Sequence, residues 1–86
     1  MNIVLNCENL TQREQAHRYL AHMLDLPDYY GNNLDALFDC LTERGDCTIV
    51  LDGGTDISRN GGYGAKVLKV LEDASLANPR LRLEIR

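Results

Sequence analysis

Apolar positions along this chain alternate between two rhythms, and the switches mark its elements. Ile3-Val4-Leu5 is an unbroken apolar run rich in β-formers, which predicts a strand buried on both faces, as in parallel sheets. Asn9-Leu10 predicts a turn away from it. Thr11-Gln12-Arg13-Glu14 fits a capping box, with Thr11 reaching the third amide and Glu14 reaching back. The helix it opens runs to about Leu24, with Ala16, Tyr19, Leu20 and Met23 as its core stripe. Pro27 stops it, because the residue before proline is pushed out of helical geometry. A second helix follows Asn33, whose side-chain oxygen can take a free N–H of the first turn. It reaches about Thr42, and Leu34, Leu37, Phe38 and Leu41 recur at helical spacing to form its apolar face. Gly45 fits a helix-ending glycine.

Cys47-Thr48-Ile49-Val50-Leu51 predicts the clearest strand, β-branched and nearly all apolar. From Gly53-Gly54 to Asn60-Gly61-Gly62 the chain is polar and glycine-rich. It lacks the Gly-Lys-Ser/Thr ending and the Gly-x-Gly-x-x-Gly register of phosphate-binding loops, and reads as a connection built of turn residues. A third helix is predicted from Gly64 to about Ala77, with Val67, Leu68, Leu71 and Ala74 buried and Val70 and Leu76 beside them. Asn78-Pro79 ends it. Leu81-Arg82-Leu83-Glu84-Ile85 alternates with period two, as a half-buried edge strand does. Strands separated by helices imply parallel pairing and right-handed crossovers. The predicted fold is therefore α/β, a three-stranded parallel sheet packed against helices in one domain spanning residues 1–86, with an unusually long first crossover.

At 86 residues and 44% hydrophobic, the chain supports one thin core. No run approaches the roughly 20 apolar residues of a membrane span, and no basic-then-apolar leader opens it, so a cytoplasmic protein is expected. The net charge of −4 is unevenly placed: the segment from Asp25 to Asp46 holds six acids and one base, and the remainder is close to neutral. A field concentrated in this way repels nucleic acid and steers basic partners. The three cysteines, Cys7, Cys40 and Cys47, form neither a CxxC pair nor a zinc spacing and read as reduced, structural thiols. His17 and His22 are five apart on the first helix, on different faces, so no metal site and no cofactor is expected.

The acidic segment has one pair of note. Asp35 and Asp39 are four apart on the second helix, so their carboxylates share a face. Asp35 benefits from the positive end of the helix dipole, and Asp39, further in, gains little. An acid pair without a local base reads either as a solvated helix face or as a site for a cationic partner.

Leu26-Pro27-Asp28-Tyr29-Tyr30-Gly31-Asn32-Asn33-Leu34-Asp35-Ala36-Leu37-Phe38-Asp39-Cys40-Leu41-Thr42 resembles, without interruption, the signature of the barstar family, small intracellular inhibitors of secreted guanyl-specific ribonucleases of the barnase type. Chain length and element order agree. The resemblance implies that the loop and helix from Tyr29 to Thr42 plug the ribonuclease active site. Asp39 would occupy the place of the substrate phosphate and pair with catalytic arginines and a lysine. Asp35 would pair with an arginine of the base-recognition loop, and Tyr29 would pack on the catalytic histidine. Asn33, Leu34, Phe38 and Thr42 fall at contact positions, Tyr30 adjoins Tyr29, and Arg44 lies at the rim. Asp73, on the third helix, is the nearest match to a glutamate contact of the family. Phe38 and Arg44 stand where the family carries tryptophans, and Glu43 stands in place of a glycine. The expectation is a monomer that binds its ribonuclease 1:1. Two other readings are an acidic module for a basic partner that is not a ribonuclease, and an enzyme using Asp35 and Asp39 as an acid–base pair, which a convex helix face without a substrate cleft disfavours.

Overall fold

The computed structural model describes residues 2–54 and 62–86. Most of the glycine-rich connection read between Gly53 and Gly62 lies outside them. The element order is β1 (Asn2–Asn6), a 3-10 helix (Cys7–Leu10), α1 (Arg13–Met23), α2 (Leu34–Thr42), β2 (Cys47–Asp52), α3 (Gly62–Ala77) and β3 (Leu81–Ile85). The strands form one parallel sheet in the order β1-β2-β3. The fold class is thus the expected one.

Register places Ile3, Ile49 and Leu83 side by side, and Leu5, Leu51 and Ile85 in the next row of the same face. Ile3, Leu5, Ile49, Leu51 and Leu83 join Ala16, Leu20, Leu37, Leu41, Val67, Leu71 and Ala74 of the helices in a single apolar cluster. The other face carries Val4, Val50 and Glu84 in one row, none of them in that cluster. Helices therefore cover one face. This corrects the reading of β1 as buried on both faces: it is an edge strand, and Val4 is 51% exposed. β2, held between two neighbours, keeps even its outward Val50 out of solvent. An apolar run alone does not distinguish these two situations.

The expected capping box does not form. Residues 7–10 wind into a 3-10 helix capped by Asn6, whose side chain accepts from Glu8 N at 3.0 Å. Thr11 ends that turn and donates to the Glu8 carbonyl at 3.4 Å, so α1 starts one residue later, at an N-cap Gln12 that makes no side-chain bond. α1 ends at Met23, four residues ahead of Pro27. Asp25 adopts φ 51°, and Leu26 N–H donates to Ala21 O at 2.9 Å, the six-to-one bond of a left-handed helix ending. Gly45 does not supply the turn expected of it: α2 ends at Glu43 with ordinary backbone angles, and positive φ among the described glycines occurs at Gly53 and Gly62. On α3, which begins two residues before the expected Gly64, Leu76 is 86% exposed rather than beside the core.

Candidate functional site

α2 has nine residues, too few to persist alone in water. Its inner stripe holds it: Leu37 and Leu41 are both fully buried, and burying a leucine contributes roughly 1.5–3 kcal/mol. That dwarfs the ~0.2–0.5 kcal/mol repulsion expected of an acid pair four apart. Asn33 caps the helix as its sequence predicts, its side-chain oxygen accepting from Ala36 N at 2.8 Å while its Nδ2 donates to Gly31 O at 3.2 Å. The chain reaches this cap through Asn32 in the left-handed region, at φ 53°.

With the inner stripe anchored, Asp35, Phe38, Asp39 and Thr42 fall at i, i+3, i+4 and i+7 on one outer stripe. Asp35 and Asp39 are exposed, Phe38 and Thr42 half-buried. Neither carboxylate forms an ion pair among the described residues. Thr42 turns its hydroxyl back to Asp39 O at 3.0 Å. Tyr29, in the loop that leads into the helix, is 87% exposed, and Asn33 and the half-buried Leu34 open the helix ahead of Asp35. A recess of about 430 Å³ at the start of the helix is lined by Arg13, Asn33, Leu34, Asp35, Tyr63 and Lys66, bringing cations from α1 and α3 beside Asp35.

α2 and α3 lie side by side and run the same way. Tyr63 and Lys66 of α3 share that recess with residues 33–35, while Asn78, just past the end of α3, meets the end of α2. Asp73, half-buried, is paired to Lys69 on its own helix at 3.0 Å. At this exposure such a pair adds little stability. Lys66, Lys69 and Asp73 are spaced to share one side of α3.

Two residues expected at the contact are turned inward. Arg44 is half-buried, and its Nη1 donates to Leu24 O at 2.6 Å, placing a cation at the carbonyl end of α1 where the helix dipole favours it. Tyr30 is buried at 7% exposure, so it offers no contact surface in the free protein. Its hydroxyl lies 2.5 Å from Nδ1 of His17, and Nε2 of His17 is hydrogen-bonded to the Tyr63 hydroxyl. Both tyrosine rings tilt against the imidazole, with centroids 5.7 and 5.5 Å away.

The Tyr30–His17–Tyr63 bridge is the feature that reading the sequence missed. His17 shares helical spacing with the buried Leu20 and Leu24, and that stripe was its only local signal. Its partners lie 13 and 46 residues away. Burial, and secondarily the Arg13 guanidinium, hold His17 below its ordinary pKa, and burial raises both phenols. A neutral imidazole has one donor and one acceptor. Among the described residues the Tyr30 hydroxyl has no other hydrogen-bond partner, so its O–H donates to Nδ1. Nε2–H then donates to the half-exposed Tyr63, whose own proton can face water.

The cysteines are all free; Cys7 and Cys47 are buried. Burial raises Cys7 and Cys40, which disfavours their thiolates, with Asp52 adding to the effect at Cys7 and Glu43 and Asp39 at Cys40. Among the described residues no group of three or more His, Cys, Asp or Glu side chains converges on a metal position. Nor is any helix there long and apolar enough to cross a membrane.

A protein of Bacillus subtilis (strain 168) named "Putative ribonuclease inhibitor YrdF" is 41% identical over 76 residues, which cover 84% of this chain and 82% of that protein. The family described as Barstar (barnase inhibitor) matches residues 1–85, nearly the whole chain and not only the signature around α2. The chain belongs to the barstar family.

Proposed function

We propose that this protein inhibits a secreted, guanyl-specific ribonuclease of the barnase type by seating α2 and its preceding loop in the enzyme's active site, as a 1:1 complex formed in the cytoplasm of the producing cell by an otherwise monomeric inhibitor. The observation that carries this reading is the outer stripe of α2: two exposed carboxylates, Asp35 and Asp39, unpaired among the described residues, on a helix fastened to the core by Leu37 and Leu41. Family membership supports a ribonuclease as the target.

A ribonuclease site is a cationic cleft shaped for phosphate. Carboxylates on a rigid helix supply the charge and the hydrogen-bond acceptors of that phosphate without a bond to cleave. Asp39 takes the phosphate position and Asp35 pairs with a basic group of the base-recognition loop. Tyr29 offers a large, rigid, exposed contact at small entropic cost. Asn33, Leu34, Phe38 and Thr42 fill the perimeter, and Asp73 extends the contact onto α3. Arg44 shapes this face by holding the ends of α1 and α2 together.

Mixing the protein with a barnase-type ribonuclease in a calorimeter, with cleavage assayed on the same samples, tests the reading. The inhibitor gives a stoichiometry of one and loss of cleavage together. Binding with undiminished cleavage would mark an acidic module for a basic partner instead.

A further inference from the structure

We infer that the recess at the start of α2 is a second contact of the inhibitory face, a cationic seat where Arg13 of α1, Lys66 of α3 and the Tyr63 hydroxyl take a carboxylate side chain of the ribonuclease beside its basic cleft. This rests on the inhibitory reading, to which it adds two specificity-determining residues and an acidic group on the partner.

Three helices supply the lining: Arg13 from α1, Tyr63 and Lys66 from α3, and Asn33, Leu34 and Asp35 at the start of α2. Arg13 and Lys66 are exposed, and neither forms an ion pair among the described residues. Lys69, one turn on, does find a partner in Asp73. Two cations and the Asp35 carboxylate thus line one recess without closing on each other. The Tyr63 hydroxyl adds a neutral donor. With Nε2–H of His17 donating to it, its own proton has no acceptor among the described residues. The Arg13 guanidinium stands near enough to Tyr63 to oppose the rise that burial imposes on its phenol.

Charge names the occupant. Two cations against one carboxylate leave the recess with a single positive charge in excess, the balance that one further carboxylate neutralises. A phosphate group carries more negative charge and would meet both Asp35 and the net charge of −4 of the whole chain. Place decides whose carboxylate it is. Asp35 lines the recess and is also a proposed contact, so an enzyme that lays a base on Asp35 brings neighbouring side chains over Arg13 and Lys66. A partner with an acid next to that base meets alternating charge with alternating charge. That fixes its register on α2 and disfavours a uniformly basic surface.

Lys66→Gln and Arg13→Gln, singly and together, test the seat by their binding to a barnase-type ribonuclease. Arg82→Gln, at an exposed position on the outward face of β3, is the comparator. General electrostatics and the seat predict opposite signs. Taking a cation from an acidic inhibitor speeds its encounter with a basic enzyme, and Arg82→Gln should show that alone, with affinity unchanged or slightly raised. Each recess variant should instead lose about tenfold in affinity, chiefly through faster dissociation, as loss of a hydrogen bond to a charged group does. Lys66→Arg should keep most of the affinity. When the acids bordering the enzyme's cleft are neutralised one at a time, one of them should lose its effect in the Lys66→Gln background. Affinity unchanged or raised in both recess variants, or no acid coupled to Lys66, would overturn the seat. Shifts of the Tyr63 and Lys66 resonances with inorganic phosphate, beside unchanged affinity for the ribonuclease, would mark a phosphate site and overturn it too. Absence of inhibition by the unsubstituted protein would overturn the inhibitory reading itself, whereas full inhibition untouched by the variants strikes the recess alone.

Discussion

The side-chain amide of Asn78 donates to the main-chain carbonyl of Leu41 at 3.0 Å, joining the residue just past the end of α3 to the last turn of α2. The same nitrogen donates to Arg44 O at 3.0 Å, and the Asn78 oxygen accepts from Arg80 N at 3.0 Å. Asn78 is 6% exposed, so these groups have little access to water as a substitute. Asn78→Ala should lower stability by about 2–3 kcal/mol, the cost of leaving buried polar groups unpaired. Urea denaturation measures it. A loss below about 0.5 kcal/mol, the size of an ordinary surface change, would contradict the role.

Asp39 separates affinity from stability. It has no ion pair among the described residues and sits four residues from a like charge. Asp39→Ala should leave folding within about 0.5 kcal/mol of the unsubstituted protein, since it relieves a weak repulsion. Yet it should weaken ribonuclease binding by several kcal/mol, as the loss of a charged anchor at the centre of an interface does, an effect for which the barnase–barstar complex is itself the standard example. Thermal unfolding and calorimetric titration on one preparation give both numbers.

Two glycines should respond oppositely to alanine. A Cβ at Gly54 would meet Ile85 Cγ2 at 2.7 Å and Leu51 Cβ at 3.2 Å, where β2 and the end of β3 close on it. At Gly45 nothing lies within 4 Å, and the backbone does not need positive φ. Gly54→Ala should destabilise by about 1–3 kcal/mol through overpacking. Gly45→Ala should be neutral or stabilising by up to about 1 kcal/mol, because it restricts the unfolded chain. Paired denaturation curves decide the point.

Stability should fall on acidification through His17. The ring faces Tyr30 and Tyr63 directly, and Arg13, Glu14 and Arg18 line the recess around it. Its folded-state pKa is lowered, first by burial and then by Arg13. The unfolded chain therefore takes up a proton near the ordinary value of about 6.5 that the folded protein refuses, so the unfolded state binds more protons and is favoured as pH drops. The loss begins near that value and ends once the folded-state pKa is passed. Comparing urea midpoints at neutral and mildly acid pH, the unsubstituted protein should lose more than His17→Gln. Equal losses would place the effect elsewhere.

The fold was legible because its signals are local. Leu37 and Leu41 recur at helical spacing, Asn33 sits where a cap is needed, and β2 is β-branched and nearly all apolar. The outer stripe with Asp35 and Asp39 followed from the same spacing. What was not legible depends on contacts distant in sequence. Val4 is exposed because the sheet order places β1 at an edge and the helices take one face. Tyr30 and Arg44 face inward because His17 and Leu24 O, 13 and 20 residues away, receive them. Thr11 was lost as a cap because the preceding turn claimed it, a competition between two local motifs that residue types alone do not settle.

Titration of RNA cleavage by a barnase-type ribonuclease, with the unsubstituted protein beside Asp39→Ala, tests the central claim most directly. The account predicts activity falling linearly to zero at one equivalent of the unsubstituted protein, and little loss at the same ratio with Asp39→Ala. Full cleavage at large excess of the unsubstituted protein, or equal inhibition by both, would contradict it.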